Sequence, residues 1–315
     1  MTNKLIAWIR IQELHKHPTI LLPFLLGTAI AWSEAGTIDW RVFVISLIIT
    51  YFITNGAFMS NEYFDYETDR INIGRIGGDR VGVTTTGGTR VLVEGLLSGK
   101  QVLTAAILFF IAAIPLGVIL QFYFDTGILT IPLGIFGILM GLFYTAPPLR
   151  ASYNGFSALF MAIGFTIPVF AGYYIYQGFS WLPLIVALPW TLSVPAMKII
   201  REFPDYEADK SANKRTLVVR FGKEKMAPIY ILLTLCSLIL FIPVIFITRE
   251  IAVLLLLLPA FFLLRSVIPM INGKWRDKEG LDAICKNGFI GMLFILVALT
   301  GIFIFKGLGM YLKCQ

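Results

Sequence analysis

Two decapeptides hold most of the residues in this chain that could do chemistry: NEYFDYETDR at 61–70 and REFPDYEADK at 201–210. They agree at Glu62/Glu202, Asp65/Asp205, Tyr66/Tyr206, Glu67/Glu207 and Asp69/Asp209, and Arg70 is answered by Lys210. On a helix, Asn61, Asp65 and Asp69 recur at i, i+4 and i+8 with Glu62 three residues before Asp65, so the four share one broad face. Glu202, Asp205 and Asp209 repeat the pattern at i, i+3 and i+7. Glu67 and Glu207 turn away from that face and are expected to be solvated or paired with a loop arginine. Carboxylates stacked in this way repel, more strongly where water is scarce, so a cation is expected among them. Neither motif contains His or Cys, and hard oxygen donors suit Mg²⁺ better than zinc or copper. Mg²⁺ takes one or two carboxylates and fills its shell with water and phosphate oxygens, so two acidic faces meeting across a cavity predict magnesium bridging to a diphosphate. The plainer alternative is a pair of acid-rich helix ends that border water; the duplication favours a shared metal site.

Bases are interleaved with these acids. Lys198 and Arg201 precede the carboxylates of the second motif, and Lys210, Lys214 and Arg215 follow them, where they offer charge to a departing anion or simply mark a loop on the positive side of a membrane. The first motif leads into INIGRIGGDRVGVTTTGGTRVLVEGLLSGKQV, too polar to span a bilayer and too long for a turn. Gly77, Gly78, Gly87 and Gly88 allow backbone N–H groups to approach an anion, and Arg75, Arg80 and Arg90 offer guanidinium forks to phosphate. The segment reads as a cap over the substrate, with an ordinary surface loop as the alternative; it is not a phosphate loop of the Gly-Lys-Ser/Thr kind. Pro147 and Pro148 end a helix in YTAPPLRASYNG and set Tyr144, Arg150 and Tyr153 near the same rim, where Tyr144 is either a donor to phosphate or a member of an interfacial aromatic belt. Pro204 predicts that the second motif's helix kinks or restarts near Phe203, leaving Asp205 and Asp209 on a short helix angled over the site.

The elements that must hold these residues are membrane spans. The chain has 315 residues, 57% hydrophobic and 14% charged, with a mean hydropathy of +0.80, which excludes an ordinary soluble globular domain. A span needs roughly 20 apolar residues, and nine stretches qualify: about 18–33, 41–60, 102–122, 128–146, 153–176, 181–200, 228–247, 250–272 and 285–306. The fold class is therefore all-α: a polytopic membrane protein with nine transmembrane helices around a central cavity and helical cap loops on the cytoplasmic side, forming one domain over 1–315 with acidic-motif halves at about 1–150 and 151–315. With the N-terminus inside, nearly every Lys and Arg falls in a cytoplasmic segment; Arg41, Arg249, Lys306 and Lys313 fall outside and Arg265 within a span. The active rim and N-terminus are then cytoplasmic, and the C-terminus is outside the cell membrane. This asymmetry accounts for the basic balance, so no nucleic-acid partner is needed. The opening residues show no cleavable leader and read as an interfacial amphipathic helix. Cys236, Cys285 and Cys314 are scattered, and His15 and His17 are the only histidines, so neither a disulfide framework nor a histidine-based zinc site or triad is indicated.

With both motifs at span ends, NEYFDYETD resembles the N-D-x-x-D-x-x-x-D signature of the UbiA superfamily of intramembrane prenyltransferases. EFPDYEAD resembles its second D-x-x-x-D signature, YTAPPLR resembles the segment after its fourth helix, and nine spans match its architecture over nearly the whole chain. GGTRVLVEGLLS and DYEADKSANKRTLVVRFG look most like the branch that prenylates 1,4-dihydroxy-2-naphthoate on the way to menaquinone. Two departures stand out: Glu62 replaces the usual Asp, lengthening that side chain by a methylene, and IIREFPD replaces an asparagine-containing run of the naphthoate branch.

The resemblance implies a polyprenyl diphosphate with its tail among the apolar spans and its head at the carboxylates. It implies Mg²⁺ held by Asn61, Asp65, Asp69, Asp205 and Asp209, with Glu62 and Glu202 as further ligands, an allylic cation attacked by an electron-rich acceptor, and a carboxylate as base. Diphosphate contacts are expected from Arg75, Arg90, Tyr144, Arg150, Lys198, Arg201 and Lys214. Within the same reaction the acceptor alternatives are 4-hydroxybenzoate, homogentisate, a glyceryl phosphate lipid, haem or a chlorophyll precursor. From a different class, a cation-coupled transporter also has duplicated acidic halves, but its carboxylates belong near mid-membrane.

Overall fold

The computed structural model describes residues 2–71 and 88–314. Among them, regular structure is wholly helical. The first half contributes α1 (Thr2–Ile11), α2 (Pro18–Ala35), α3 (Trp40–Phe64), α4 (Tyr66–Ile71), α5 (Gly99–Val118) and α6 (Thr130–Phe143). The second half contributes α7 (Ser157–Gln177), α8 (Leu182–Glu202), α9 (Tyr206–Ser211), α10 (Leu217–Phe221), α11 (Lys223–Ile239), α12 (Phe241–Thr248), α13 (Leu257–Ile271) and α14 (Lys278–Cys314).

Among the described residues, eight helical segments are long and apolar enough to cross a bilayer: α2, α3, α5 with its π-helical extension to Tyr123, α7, α8, α11 with α12, the segment Ile251–Ile271 and α14. The expectation of nine full-length spans is met at these eight. The segment expected at 128–146 is α6, with 14 helical residues, about 21 Å at the rise of an α-helix and short of a hydrocarbon core of about 30 Å. Its length is lost at both ends. Asp125 and Gly127 take positive φ (52° and 95°) in the turn that precedes it, and the chain leaves the helix at Tyr144, ahead of Pro147 and Pro148. Even so, α6 is tied at two levels: the Tyr174 hydroxyl accepts the Leu129 N–H at 3.1 Å, and Thr145 Oγ1 donates to Asn61 Oδ1 at 2.7 Å.

Lipid gives little hydrophobic drive for helix association, so close approach of backbones has to supply it. Among the helix pairs, α2 and α7 share the most extensive contact. There a Cβ on Gly27 would run into the Val169 carbonyl, and one on Gly172 into the Phe24 carbonyl. The second half packs solidly around Trp190, Phe203, Tyr230, Ile295 and Phe303, with α14 lying against α2, α8 and α13. The first half forms only smaller clusters, one of which joins Ala7 and Ile11 of α1 to Met59, Val91 and Val102. Leu5, Ile6 and Ile9 of α1 are left exposed. The space that remains between α3, α5, α6, α7 and α8 is the cavity that carries the site.

Candidate active site

The acidic helices break at equivalent residues. α3 stops at Phe64 and α4 begins at Tyr66, while α8 stops at Glu202 and α9 begins at Tyr206. Asp65 has φ −88° and ψ −2°, and Asp205 has φ −85° and ψ −2°. The break expected only beside Pro204 therefore occurs in both copies, and proline is not its cause. In each copy the hydrogen bond into the short helix survives: Asp69 N donates to Asp65 O at 2.9 Å and Asp209 N to Asp205 O at 2.8 Å. The break redirects the two later aspartates relative to the spans that precede them.

A cavity of about 930 Å³ receives both sets. Asn61, Glu62, Asp65 and Asp69 line it from α3 and α4, and Asp205 and Asp209 from the second copy. Glu202 does not line it. Its carboxylate is 1% exposed and filled by three donors: Ser157 Oγ at 3.0 Å, the Val218 N–H at 3.3 Å and Lys198 Nζ at 3.4 Å. These bonds anchor α8 to the starts of α7 and α10. Glu62 makes the matching bond in the first copy, accepting the Thr89 N–H at 2.7 Å, but it also faces the cavity. The first glutamate of each motif thus pins the backbone that returns after the following loop. Gly88 fits against this anchor, because a Cβ there would collide with the Glu62 and Asp69 carboxylates. Glu67 and Glu207 are exposed, and Glu67 pairs with Arg70 at 3.0 Å.

Of the expected phosphate contacts, Tyr144, Lys198, Arg201 and Lys214 line the cavity. Glu202, Asp209 and Asp205 are the acids acting on the Lys198 ammonium. Arg90 does not line the cavity; it bonds the Asp69 carbonyl at 3.2 Å with a left-handed backbone. Arg150 likewise lies off the cavity, over the Tyr153 ring at 4.1 Å, because its left-handed backbone in the turn after Pro148 aims it there. Arg75, Arg80 and most of the expected cap loop fall outside the described residues.

Three features escaped the sequence. Tyr153 donates to Asp65 Oδ1 at 2.6 Å, with Thr68 Oγ1 2.7 Å from the same hydroxyl, and Arg150 and Lys214 Nζ both lie over its ring, the latter 4.8 Å from the ring centre. Burial first, and the neighbouring Asp65 charge second, push its phenol well above the usual range, so it remains a donor. Ser152 lines the cavity 2% exposed, and its hydroxyl finds no partner among the described residues. The turn after α1 adds Glu13, His15 and Lys16 to the rim; burial and the Lys16 charge lower the His15 pKa. Tyr153 had a signal in its place after the two prolines. The other residues had none, because only tertiary packing carries them to the rim.

Among the described residues, no three Asp, Glu, His or Cys side chains converge closely enough to enclose an ion by themselves. That is compatible with the donor chemistry of Mg²⁺, which is satisfied by few carboxylates when water and phosphate oxygens complete its shell. The donors that line the cavity carry oxygen in both copies: Asn61, Asp65 and Asp69 from α3 and α4, and Asp205 and Asp209 from the second motif.

The UbiA prenyltransferase family profile matches residues 20–279. A 1,4-dihydroxy-2-naphthoate octaprenyltransferase of Bacillus subtilis (strain 168) is 26% identical over 219 residues, covering 69% of this chain and 66% of that protein. A 2-carboxy-1,4-naphthoquinone phytyltransferase of Synechocystis sp. is 27% identical over 223 residues, covering 70% of this chain and 67% of that protein. Among solved structures, a digeranylgeranylglyceryl phosphate synthase aligns with a TM-score of 0.69 at 19% identity, over 96% of this chain and 99% of that chain. A UbiA homolog from Archaeoglobus fulgidus bound to GPP and Mg²⁺ aligns with a TM-score of 0.66 at 18% identity, over 97% and 99% of the two chains.

Proposed function

The chain belongs to the UbiA prenyltransferase family, and on that premise we propose that it transfers a polyprenyl group from a prenyl diphosphate to an aromatic acceptor such as 1,4-dihydroxy-2-naphthoate, in quinone biosynthesis. The observation that carries the reading is the joining of two matched acidic sets, with Lys198, Arg201 and Lys214, in a cavity whose lining away from them is mostly apolar, with a few hydroxyls. Such a cavity suits a ligand with an anionic head and a hydrocarbon tail. The naphthoate acceptor draws support from the Bacillus and Synechocystis relatives.

Asn61, Asp65, Asp69, Asp205 and Asp209 would hold Mg²⁺, which when bound supplies positive charge to a diphosphate. Lys198, Arg201 and Lys214 face the same head and balance the charge that collects on it as the C1–O bond breaks and its electron pair leaves with the diphosphate. Phe58, Phe160, Phe165 and Phe289 wall the reacting region with rings, excluding the water that would convert the allylic cation to an alcohol. The acceptor's ring carbon attacks C1, a carbon–carbon bond forms, and the ring proton passes to a basic group of the rim. Tyr153 orients Asp65 through its bond to Oδ1. In this reading the rim and N-terminus are cytoplasmic, α6 counts as a crossing, and the C-terminus lies outside the cell membrane.

The test is a product assay in lipid. Purified protein with Mg²⁺ and radiolabelled polyprenyl diphosphate is offered 1,4-dihydroxy-2-naphthoate, 4-hydroxybenzoate, homogentisate and a glyceryl phosphate lipid, with diphosphate release followed in parallel. Label on the naphthoate, lost in Asp65→Ala, is the expected result. Label on another acceptor keeps the reaction and discards the acceptor; neither transfer nor diphosphate release, from folded protein, discards the reaction.

A further inference from the structure

One charge in the second half stands where a span should be apolar. Arg265 belongs to α13, inside the segment Ile251–Ile271 that is long and apolar enough to cross a bilayer. It lies six residues before Ile271, about 9 Å inside the helix end at the α-helical rise. Phe261, Arg265, Ile268 and Asn272 recur at i, i+4, i+7 and i+11 and share one stripe. All four are exposed, as are Leu257 and Leu264 beside them. The packed face of the helix is carried instead by Leu263, Ser266, Val267 and Met270. Arg265 therefore sits on the face that meets lipid.

A guanidinium does not escape this position by losing its proton, and in hydrocarbon it is costly unless an anion or water reaches it. Among the described residues its partner is the Phe261 ring, whose centre is 5.5 Å from the guanidinium carbon. That ring is one turn back, the direction in which helical side chains lean. A ring attracts a cation but brings no countercharge. Nor does this chain offer a carboxylate at that depth of its second half. After Asp209 the acids are Glu224, Glu250, Asp277, Glu279 and Asp282. Glu224 opens α11, Glu250 precedes Ile251, and the last three lie just before α14 or in its first turns. A second copy packed through the same face thus brings Arg265 no acid at its own level.

The anion that a bilayer itself supplies is the phosphate of a headgroup. An arginine this far inside a span meets it by extending to the interface or by drawing the headgroup inward. At the end of the stripe Asn272, Lys274 and Arg276 are all exposed, at the level where a headgroup lies.

We propose that the outer face of α13 is a binding site for an anionic phospholipid, with its phosphate paired to Arg265, its headgroup toward Asn272 and Lys274, and an acyl chain along Phe261 and Leu257. Guanidinium suits this role because its planar fork gives two parallel N–H bonds to a phosphate. None of these residues lines the cavity, so the site is separate from the acidic rim and does not depend on the prenyl-transfer reading.

The test uses the full chain, delipidated in detergent and titrated with phosphatidylglycerol, phosphatidylcholine or diacylglycerol, with bound lipid counted by native mass spectrometry. The first phosphatidylglycerol is expected to bind at least about fivefold more tightly than diacylglycerol, the scale of one basic residue at an anionic surface. Arg265→Leu is expected to remove that preference while the protein melts normally, and Arg265→Lys, which keeps the charge without the fork, to retain part of it. Arg265→Gln takes the place of the leucine variant if the latter does not fold. A preference that persists in the folded variant overturns the site. Displacement of the lipid by an equal concentration of inorganic phosphate would make this a site for a free anion, and a dimer of the unsubstituted protein that Arg265→Leu splits would give the face to a second copy; either result overturns the lipid assignment.

Discussion

Tyr153, in the turn between α6 and α7, donates its hydroxyl to Asp65, the residue at which the first acidic helix breaks, at 2.6 Å. The bond spans 88 residues of sequence and joins the second half's first loop to the first half's carboxylates. Arg150 and Lys214 lie over the same ring, so three segments converge on one phenol.

Tyr153→Phe keeps the ring that Arg150 and Lys214 lie over and removes only the donor. Hydrogen bonds to charged groups contribute about 1.5–3 kcal/mol, so prenyl transfer is expected to fall about tenfold or more. The Mg²⁺ concentration needed for half-maximal rate is expected to rise, with little change in melting temperature. In the double variant with Asp65→Asn the losses are expected to be less than additive, because the two residues act through one bond. Additive losses would separate the pair.

Aspartates from both motifs lining one cavity predict metal dependence. EDTA is expected to stop transfer and added Mg²⁺ to restore it, and Asp65→Ala or Asp205→Ala is expected to abolish turnover while leaving expression and elution intact. Full activity in either variant, or in chelator, would remove the metal role.

Glu202 is expected to behave differently from the aspartates three and seven residues on. Removing one partner of a buried ion pair costs about 3–5 kcal/mol, and Glu202 serves Lys198, Ser157 and the Val218 amide together. Glu202→Ala is expected to lower the melting temperature and the yield of folded protein, an effect Mg²⁺ does not reverse. A Glu202→Ala protein that melts normally but needs more Mg²⁺ would return this residue to the ligand set.

His17 gives a pH dependence. It is 4% exposed, its Nε2–H bonds the Gln12 carbonyl at 2.9 Å, and Tyr51 and Phe58 lie against its ring. Burial lowers its pKa below the ordinary value, so between the folded pKa and the ordinary value of about 6.5 the unfolded chain binds the extra proton. Stability is therefore complete above about 6.5 and declines as pH falls below it. His17→Gln is expected to flatten the melting temperature over pH 5–7, measured in detergent by tryptophan fluorescence; a slope equal to that of the unsubstituted protein would assign the effect to other groups.

Much of this was legible in the residues. The apolar runs placed a helix under each of the expected spans, since a bilayer demands length and hydropathy that few other contexts share. The repeated acids marked the ends of α3 and α8, because charge at a span end has to be solvated or ligated. Less legible was the shape of the chain at those ends. Pro204 advertised one break, while the break at Asp65 carries no such signature and lies where Asp65 and Glu62 bond the distant Tyr153 and Thr89.

By itself, the sequence determined that this is a helical membrane protein with two matched oxygen-donor sets, since composition and periodicity are local properties that any packing of the spans must respect. Tertiary structure alone decided which of those donors share a cavity. Glu62 and Glu202 occupy equivalent positions, yet one lines the cavity and the other is enclosed by Lys198, Ser157 and Val218. Arg90 and Arg150 read as phosphate contacts, yet they turn to Asp69 and Tyr153. The physical reason is that spacing along a helix fixes which side chains share a face, whereas what that face meets depends on helix crossings set by glycine contacts such as Gly27 with Val169, far apart in the chain.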